Sequence, residues 1–169
     1  PGETEELARK ADPNDHTYIV PAFSGLGAPW WRDDIYASIS GMSRTTGREE
    51  IVKAGCECIA YQINDVIDAM RKDSEIDISQ MCVDGGPTRN KYLMQFQSDI
   101  SQTEIKIPDA EELSVIGAGY LAGESAGYYE PDDIYKAITY NFFETEMPEQ
   151  ERNEKVQGWN EAVEMLLKK

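Results

Sequence analysis

The sequence predicts an α/β domain in which helices flank a mixed β-sheet. Short segments rich in β-branched and aromatic residues alternate with longer segments whose apolar residues recur at helical spacing. Crossover helices between such strands favour a sheet that is at least partly parallel. The length of 169 residues suits one domain and is sufficient to bury a hydrophobic core.

The first half of the chain predicts two extended segments and one long helix. Residues 17–23 and 37–42 form the extended segments. Between them lies a glycine loop, residues 24–29, which is followed by two tryptophans. The helix begins at Thr46, because Thr46 and Glu49 match a capping box, and it runs for about 24 residues.

The second half predicts further strands and helices in alternation. Residues 80–83 and 104–107 have the short apolar pattern of strands, and Pro108 ends the second of them. Helical spacing of apolar residues predicts one helix that ends at Gln97, followed by helices over residues 113–126, 132–140 and 151–167.

The composition argues against several classes of partner and site. The 16 Lys and Arg residues face 32 Asp and Glu residues, which gives a formal net charge of −16 at pH 7. Clustered positive charge binds nucleic acids and anionic membranes, so we expect neither as a partner. One histidine and three cysteines without a CxxC motif argue against a metal site. No apolar run reaches the roughly 18 residues of a membrane span, so we expect a soluble, cytoplasmic protein with reduced thiols.

A candidate ligand-binding turn follows the strand at residues 80–83. Asp84, Gly85 and Gly86 precede the next helix, where an open α/β sheet presents backbone N–H groups to ligands. The two glycines permit positive φ angles and leave out Cβ atoms that would block a nucleotide. Asn90 comes about one helical turn after Gly86, and its amide suits an adenine edge. A structural turn in which Asp84 caps the helix explains the same residues.

Other features allow two interpretations each. Gly117, Gly119 and Gly123 indicate either close helix packing or the wall of a nucleotide cleft. The loop at residues 24–29 is either a binding lip or a structural turn that carries core aromatic residues. His16 is expected at the surface, so the sequence offers no catalytic triad and no visible catalytic centre.

Four blocks of the sequence resemble consecutive segments of one enzyme family. They are similar to the C-terminal domain of the FGGY carbohydrate kinases, and among these to the glycerol kinases. The blocks occur in family order over nearly the whole chain. They are residues 17–31 (TYIVPAFSGLGAPWW), 57–70 (ECIAYQINDVIDAM), 83–99 (VDGGPTRNKYLMQFQSD) and 117–123 (GAGYLAG).

The resemblance implies a two-lobed enzyme of which this chain is the second lobe. Each lobe of the family has an actin-like, ribonuclease-H-like fold, and the two lobes close over ATP and a polyol. Residues 17–169 would form the C-terminal nucleotide-binding lobe, and residues 1–16 a trailing helix and linker from a missing N-terminal lobe. Pro1 in place of an initiating methionine leads us to expect a fragment of a longer chain.

The resemblance also implies roles for the glycine turn. Gly86, with Gly85 beside it, would line the phosphates and ribose of ATP, and Asn90 would face the adenine. The catalytic aspartate and the polyol-binding residues belong to the N-terminal lobe, so no catalytic residue and no metal ligand is expected in this chain. The full-length enzyme would use ATP and Mg²⁺ to phosphorylate glycerol or a related polyol, and it would be able to form a homo-oligomer.

Two alternatives are left open. Tyr36 and Ala37 stand where the family commonly has an Arg-Gly pair, and this departure leaves room for another polyol or sugar as the substrate. A non-catalytic, actin-like binding module would use the same lobe without phosphoryl transfer.

Overall fold

The computed structural model of the protein describes residues 2–74, 76–109, 113–128, 130 and 138–168. Five helices and five strands lie within these residues. The helices are α1 (Thr4–Lys10), α2 (Arg48–Ser74), α3 (Lys91–Ser101), α4 (Leu113–Ser125) and α5 (Glu149–Leu167). The strands are β1 (Tyr18–Val20), β2 (Ser38–Ser40), β3 (Gln80–Cys82), β4 (Glu104–Pro108) and β5 (Tyr140–Phe143).

A mixed three-stranded sheet confirms the predicted α/β class. β3 and β4 are parallel, with Met81 opposite Ile105, and α3 makes the crossover between them. β5 runs antiparallel to β4, with Phe142 opposite Lys106. β1 and β2 form a separate antiparallel pair. The parallel pair comes from the two strands that the apolar pattern predicts.

An aromatic cluster forms the centre of the core. Tyr61 of α2 stacks on Trp159 of α5, with 5.1 Å between the ring centroids and 8° between the planes. Phe96 of α3 meets the same tyrosine edge-on at 5.4 Å. Ile100 and Ile105 are fully buried in the same core and extend it to the three-stranded sheet. One cluster therefore joins α2, α3 and α5.

The glycine loop at residues 24–29 precedes one structural and one exposed tryptophan. The indole Nε1 of Trp30 donates to Asp65 Oδ2 at 3.2 Å, and Nε1 of Trp159 donates to the same oxygen at 2.9 Å. Trp31 is 78% exposed. The interpretation as a structural turn therefore holds for Trp30, while a binding role stays a prediction for Trp31.

The long helix starts later and ends later than predicted. α2 begins at Arg48 and its 27 residues run to Ser74. The hydroxyl of Thr46 donates to Asp15 Oδ2 at 2.8 Å and accepts from the backbone N of Ser43 at 2.8 Å. Because these two bonds engage it, Thr46 is not the cap of the helix.

A neighbouring residue pair caps α2 instead. Glu50 Oε2 accepts from the backbone N of Gly47 at 2.8 Å, and Glu50 Oε1 accepts from the backbone N of Asp12 at 3.0 Å. The predicted pairing of Thr46 with Glu49 is therefore wrong by one residue. The second bond also ties the start of α2 to the turn that precedes β1.

The helix predicted over residues 132–140 is wrong at its end. Residues 131–137 lie outside the described residues, but Tyr140 is the first residue of β5 and pairs with Pro108. The helix predicted to end at Gln97 is α3, which runs to Ser101. Gln102 ends it with φ of +48°, a left-handed conformation that glycine or asparagine more often supplies.

The remaining predictions concern the two ends of the chain and the surface. α1 packs against α2 and α3, and the division of the chain at residue 16 stays a prediction. α4 confirms the helix predicted over residues 113–126. A Cβ added at Gly117 would meet no heavy atom of the described residues within 4 Å, so the close-packing interpretation of this glycine gains no support. His16 is exposed, as predicted. Among the helices that the structure describes, none combines the length and the apolar character of a membrane span.

Candidate functional site

The turn after β3 is built around Gly85. Gly85 has φ of +97°, a left-handed conformation that favours glycine. Its carbonyl oxygen accepts from the backbone N of Thr88 at 3.1 Å and from Thr88 Oγ1 at 2.7 Å, which closes a 3₁₀ turn over Gly86–Arg89. The expectation of positive φ is confirmed for Gly85 and wrong for Gly86. Gly86 instead borders open space, because a Cβ added there would meet no heavy atom within 4 Å.

Asn90 ends this turn and caps α3. Its Oδ1 accepts from the backbone N of Leu93 at 3.0 Å, the bond expected of an N-cap residue. Its Nδ2 lies 3.4 Å from Thr4 Oγ1 and 3.8 Å from Cys56 Sγ, both weak contacts. Asn90 therefore precedes the helix and does not lie one turn into it, and the helix cap is Asn90, not Asp84. Its acceptor is used locally, whereas its donor has only weak partners.

Gly86 and Asn90 line one cavity of about 610 Å³. This volume falls in the range of small-molecule sites. The lining comes from three parts of the chain: α1, the middle of α2, and the segment from the glycine turn into α3. The lining residues are Gly2, Thr4, Glu5, Cys56, Ile59, Gly86, Pro87, Arg89, Asn90 and Leu93. Two of the three predicted site residues are thus brought together, and Gly85 shapes the turn behind them.

One wall of the cavity is the N-terminal helix α1. Glu5 Oε2 accepts from the backbone N of Lys91 at 3.0 Å, which is the first residue of α3. Glu5 Oε1 accepts from Arg9 Nη2 at 2.9 Å. Burial acts to raise the pKa of Glu5, but the hydrogen bonds from Arg9 and from the Lys91 amide outweigh it and lower the pKa. Glu5 is therefore ionised at neutral pH and holds α1 against the start of α3.

Another part of the cavity lining is apolar. Cys56 and Ile59 come from α2 and Leu93 from the first turn of α3. Burial raises the pKa of the Cys56 thiol, and the contact with Asn90 only partly opposes it. The thiol is therefore protonated at neutral pH and behaves as a small apolar group. An apolar wall beside one amide donor suits the face and one ring nitrogen of a flat heterocycle.

Residues 2–126 match the model of the C-terminal domain of the FGGY family of carbohydrate kinases. The chain belongs to this family. The glycerol kinase of Natranaerobius thermophilus is 45% identical over 168 residues, which are 98% of this chain and 33% of that protein. This FGGY domain therefore spans about a third of the length of the curated relatives it matches.

Solved FGGY kinases have the same fold as this chain. The crystal structure of Plasmodium falciparum glycerol kinase with ADP has a TM-score of 0.89 and 38% identity, and covers 99% of this chain and 34% of that one. A xylulose kinase from Lactobacillus acidophilus has a TM-score of 0.78 at 17% identity, covering 98% of this chain and 34% of that one. The second likeness concerns the fold alone. The predicted actin-like lobe is therefore confirmed for this FGGY domain.

Sequence reasoning missed the part of the FGGY cavity that comes from α1. Thr4 and Glu5 precede Asn90 by more than 80 residues, and their local pattern indicates only a helix. The pair formed by Glu5 and Arg9 at i and i+4 is typical of any exposed helix. Nothing local signals that Glu5 also reaches another helix. For Cys56 the sequence predicts only a reduced thiol and no contribution to a cavity.

A larger cavity of about 720 Å³ lies beside Trp30 and Trp31. Ala28, Pro29 and Trp31 of the predicted binding lip line it, but Gly85, Gly86 and Asn90 do not. The candidate nucleotide site of the FGGY domain is therefore the smaller cavity, where Gly86 and Asn90 meet. The described part of the chain also contains no cluster of three or more His, Cys, Asp or Glu side chains suited to a metal ion.

Proposed function

We propose that this chain is the nucleotide-binding lobe of an ATP-dependent glycerol kinase. The observation that carries the proposal is the convergence of Gly86 and Asn90 on one cavity of about 610 Å³. Identity of 45% to a glycerol kinase and of 38% to a glycerol kinase solved with ADP supports the substrate and the nucleotide. The reaction is ATP plus glycerol to ADP plus glycerol 3-phosphate.

The proposed contribution of this chain is to bind and orient the nucleotide. Asn90 Nδ2 donates to a ring nitrogen of adenine, and Cys56 and Ile59 pack against the face of the ring. The absence of a side chain at Gly86 lets the ribose and phosphates pass close to the backbone. Holding ATP in one orientation lowers the entropy cost of the transfer step.

Phosphoryl transfer itself needs groups that lie elsewhere in the proposed enzyme. The bond between the γ-phosphorus and the bridging oxygen of ATP breaks, and a bond forms to a primary hydroxyl oxygen of glycerol. The proton of that hydroxyl passes to a carboxylate base of the other lobe. Mg²⁺ would neutralise the charge of the phosphates. We propose a cytoplasmic enzyme that has a small-molecule substrate and no nucleic acid or membrane partner, and that is able to form a homo-oligomer.

The test is an assay of the protein expressed from its whole reading frame. Phosphorylation of glycerol, xylulose and a panel of other polyols and sugars is measured with ATP and Mg²⁺. We expect the highest kcat/KM with glycerol. Preference for another compound would replace glycerol kinase by another FGGY kinase, and phosphorylation of none of them would favour the non-catalytic binding module.

The chain of 169 residues alone is expected to be inactive in the same assay. Transfer requires a positioned base and a phosphate loop, and both are assigned to the other lobe. Turnover of glycerol above the background of ATP hydrolysis would contradict the assignment of the base and the phosphate loop to the other lobe. The full-length protein, assayed at the same molar concentration, is the positive control.

The adenine contact proposed for Asn90 is tested with a variant that keeps the helix cap. Asn90→Ser retains a side-chain oxygen for the backbone N of Leu93 and removes the Nδ2 donor, and serine caps helices about as well as asparagine. We expect ATP to bind about 2- to 12-fold more weakly, the value of one neutral hydrogen bond. Binding of inorganic triphosphate should not change, because it has no base.

Calorimetric titration of both ligands separates this role from a purely structural one. Equal weakening of ATP and triphosphate, or no weakening of either, would remove Asn90 from the adenine site. Asn90→Ala serves as the comparison, since it loses the cap as well and should lower the thermal midpoint as well as the affinity.

A further inference from the structure

We propose that Glu5 is a positioning residue for the nucleotide cavity, a role that rests on the proposed function. Glu5 does not need to touch the nucleotide to act in this way. Its carboxylate joins α1, which forms one wall of the cavity, to the first backbone N–H of α3, which begins directly after Asn90. This side chain therefore bridges the α1 wall and the segment that carries the adenine donor.

α1 packs mainly against α2 and makes fewer contacts with α3. α1 has seven residues, and helices of this length are not stable alone in water. One alanine, Ala8, is its buried residue. Polar contacts from α1 to the start of α3 include the Glu5 bond to Lys91 and the weak contact between Thr4 and Asn90. The Glu5 bond is 3.0 Å long and involves a charged acceptor, so it is the stronger of the two.

Glu5 also orients a second contact between the same helices. Arg9 Nη2 and Nε donate to Glu5 Oε1 at 2.9 and 3.1 Å. The guanidinium carbon of the same Arg9 lies 5.9 Å from the ring centroid of Tyr92, the second residue of α3. The Tyr92 hydroxyl in turn donates to the buried Glu57 at 2.6 Å. Loss of the Glu5 carboxylate would therefore release both the Lys91 bond and the restraint on Arg9.

The neighbouring residue provides a matched control. Glu6 forms the same kind of i, i+4 ion pair, with Lys10 at 2.6 Å, on the same helix. This pair is exposed, and the hydrogen bond that the structure gives the Glu6 carboxylate is the one from Lys10. Glu6→Ala thus removes one negative charge and one helical ion pair from α1 without removing the bond to α3.

The experiment compares Glu5→Ala, Glu5→Gln and Glu6→Ala in the full-length protein. Glutamine keeps an oxygen that accepts from the backbone N of Lys91, so it should restore most of the wild-type behaviour. For Glu5→Ala we expect the KM for ATP to rise about 2- to 12-fold, with kcat and the KM for glycerol within about twofold of wild type. Glu6→Ala should match wild type in all three constants.

Several outcomes would overturn the positioning role. An ATP KM for Glu5→Ala equal to that of Glu6→Ala would do so. So would a uniform loss of kcat and of both substrate affinities that glutamine does not rescue, because that pattern indicates only a destabilised fold. If the wild-type protein phosphorylates no polyol, the glycerol kinase proposal fails alone, and the ATP affinities of the same variants from calorimetry still test Glu5. Absence of ATP binding by the wild type would overturn both.

Discussion

Replacing Trp159 by alanine is expected to lower the free energy of unfolding by about 3–5 kcal/mol, the usual cost of removing a large buried aromatic side chain. Trp159 is 1% exposed and stacks on Tyr61 at the centre of the cluster that joins three helices. Its loss leaves a cavity beside Tyr61. It also removes one of the two indole N–H groups that donate to Asp65. Burial raises the pKa of this carboxyl even though both indoles donate to it.

The measurement is denaturant unfolding followed by far-UV circular dichroism, since tryptophan fluorescence changes with the substitution itself. Trp31→Ala is the matched control, because this tryptophan is largely exposed and its removal should change the free energy by less than about 0.5 kcal/mol. Trp159→Phe keeps a ring on Tyr61 but loses the N–H to Asp65, so it should fall between the two. A loss below about 1 kcal/mol for Trp159→Ala would contradict the assignment of this residue to the core.

The parallel half of the sheet could be predicted because its signals are local. β3 and β4 are short apolar segments, and the helix between them makes the crossover that parallel strands require. β5 lacks such a signal. Its four residues join the sheet only by pairing with β4, some 35 residues earlier in the chain, and the segment before it has helical spacing. Propensity within a short window does not report such a pairing.

The N-terminal cap of α2 differs from the prediction for a related reason. The sequence pattern of a capping box at Thr46 is present, but the Thr46 hydroxyl is engaged by Asp15 from a turn 31 residues away. A pattern in four consecutive residues does not include that competitor. Gly47 and Glu50 then supply one of the two capping-box bonds one residue later, from the Gly47 backbone N–H to the Glu50 carboxylate. Tertiary contacts therefore decide which of two adjacent residues caps the helix.

The candidate site was predictable in its glycine turn and not in its walls. The order of strand, Asp84, Gly85 and Gly86 points to a ligand-binding turn, and both the amide of Asn90 and the family resemblance point to Asn90 as its adenine contact. The roles within the turn are distributed differently from the prediction: Gly85 provides the left-handed conformation and Gly86 provides the open space. The wall formed by α1 depends on packing over more than 80 residues of sequence separation. The contact between Glu5 and Lys91 is visible only in the three-dimensional structure.

Replacing Gly86 by valine is expected to raise the KM for ATP about 5- to 150-fold, which corresponds to the roughly 1–3 kcal/mol cost of a side chain forced into occupied space. A Cβ at Gly86 meets no heavy atom of the protein and needs no left-handed φ, so the fold should tolerate the change. The added methyl groups would occupy the cavity itself. The KM for glycerol should change by less than about twofold, because glycerol binds with the other lobe in the proposed enzyme.

The control for this prediction is Gly27→Val. A Cβ at Gly27 also meets no heavy atom within 4 Å. Gly27 lies in the loop before Trp30 and does not line the cavity. Gly86→Ala adds a single methyl group and should give an intermediate KM, so the three variants form a graded series. Thermal unfolding of each variant establishes that the fold is intact. If Gly86→Val folds and its KM for ATP stays within about twofold of wild type, a difference of only ~0.4 kcal/mol, the space above Gly86 is not where the nucleotide binds. The glycine turn would then be a structural element of the lobe, and the adenine contact of Asn90 would lose its support as well, because both residues line the same cavity.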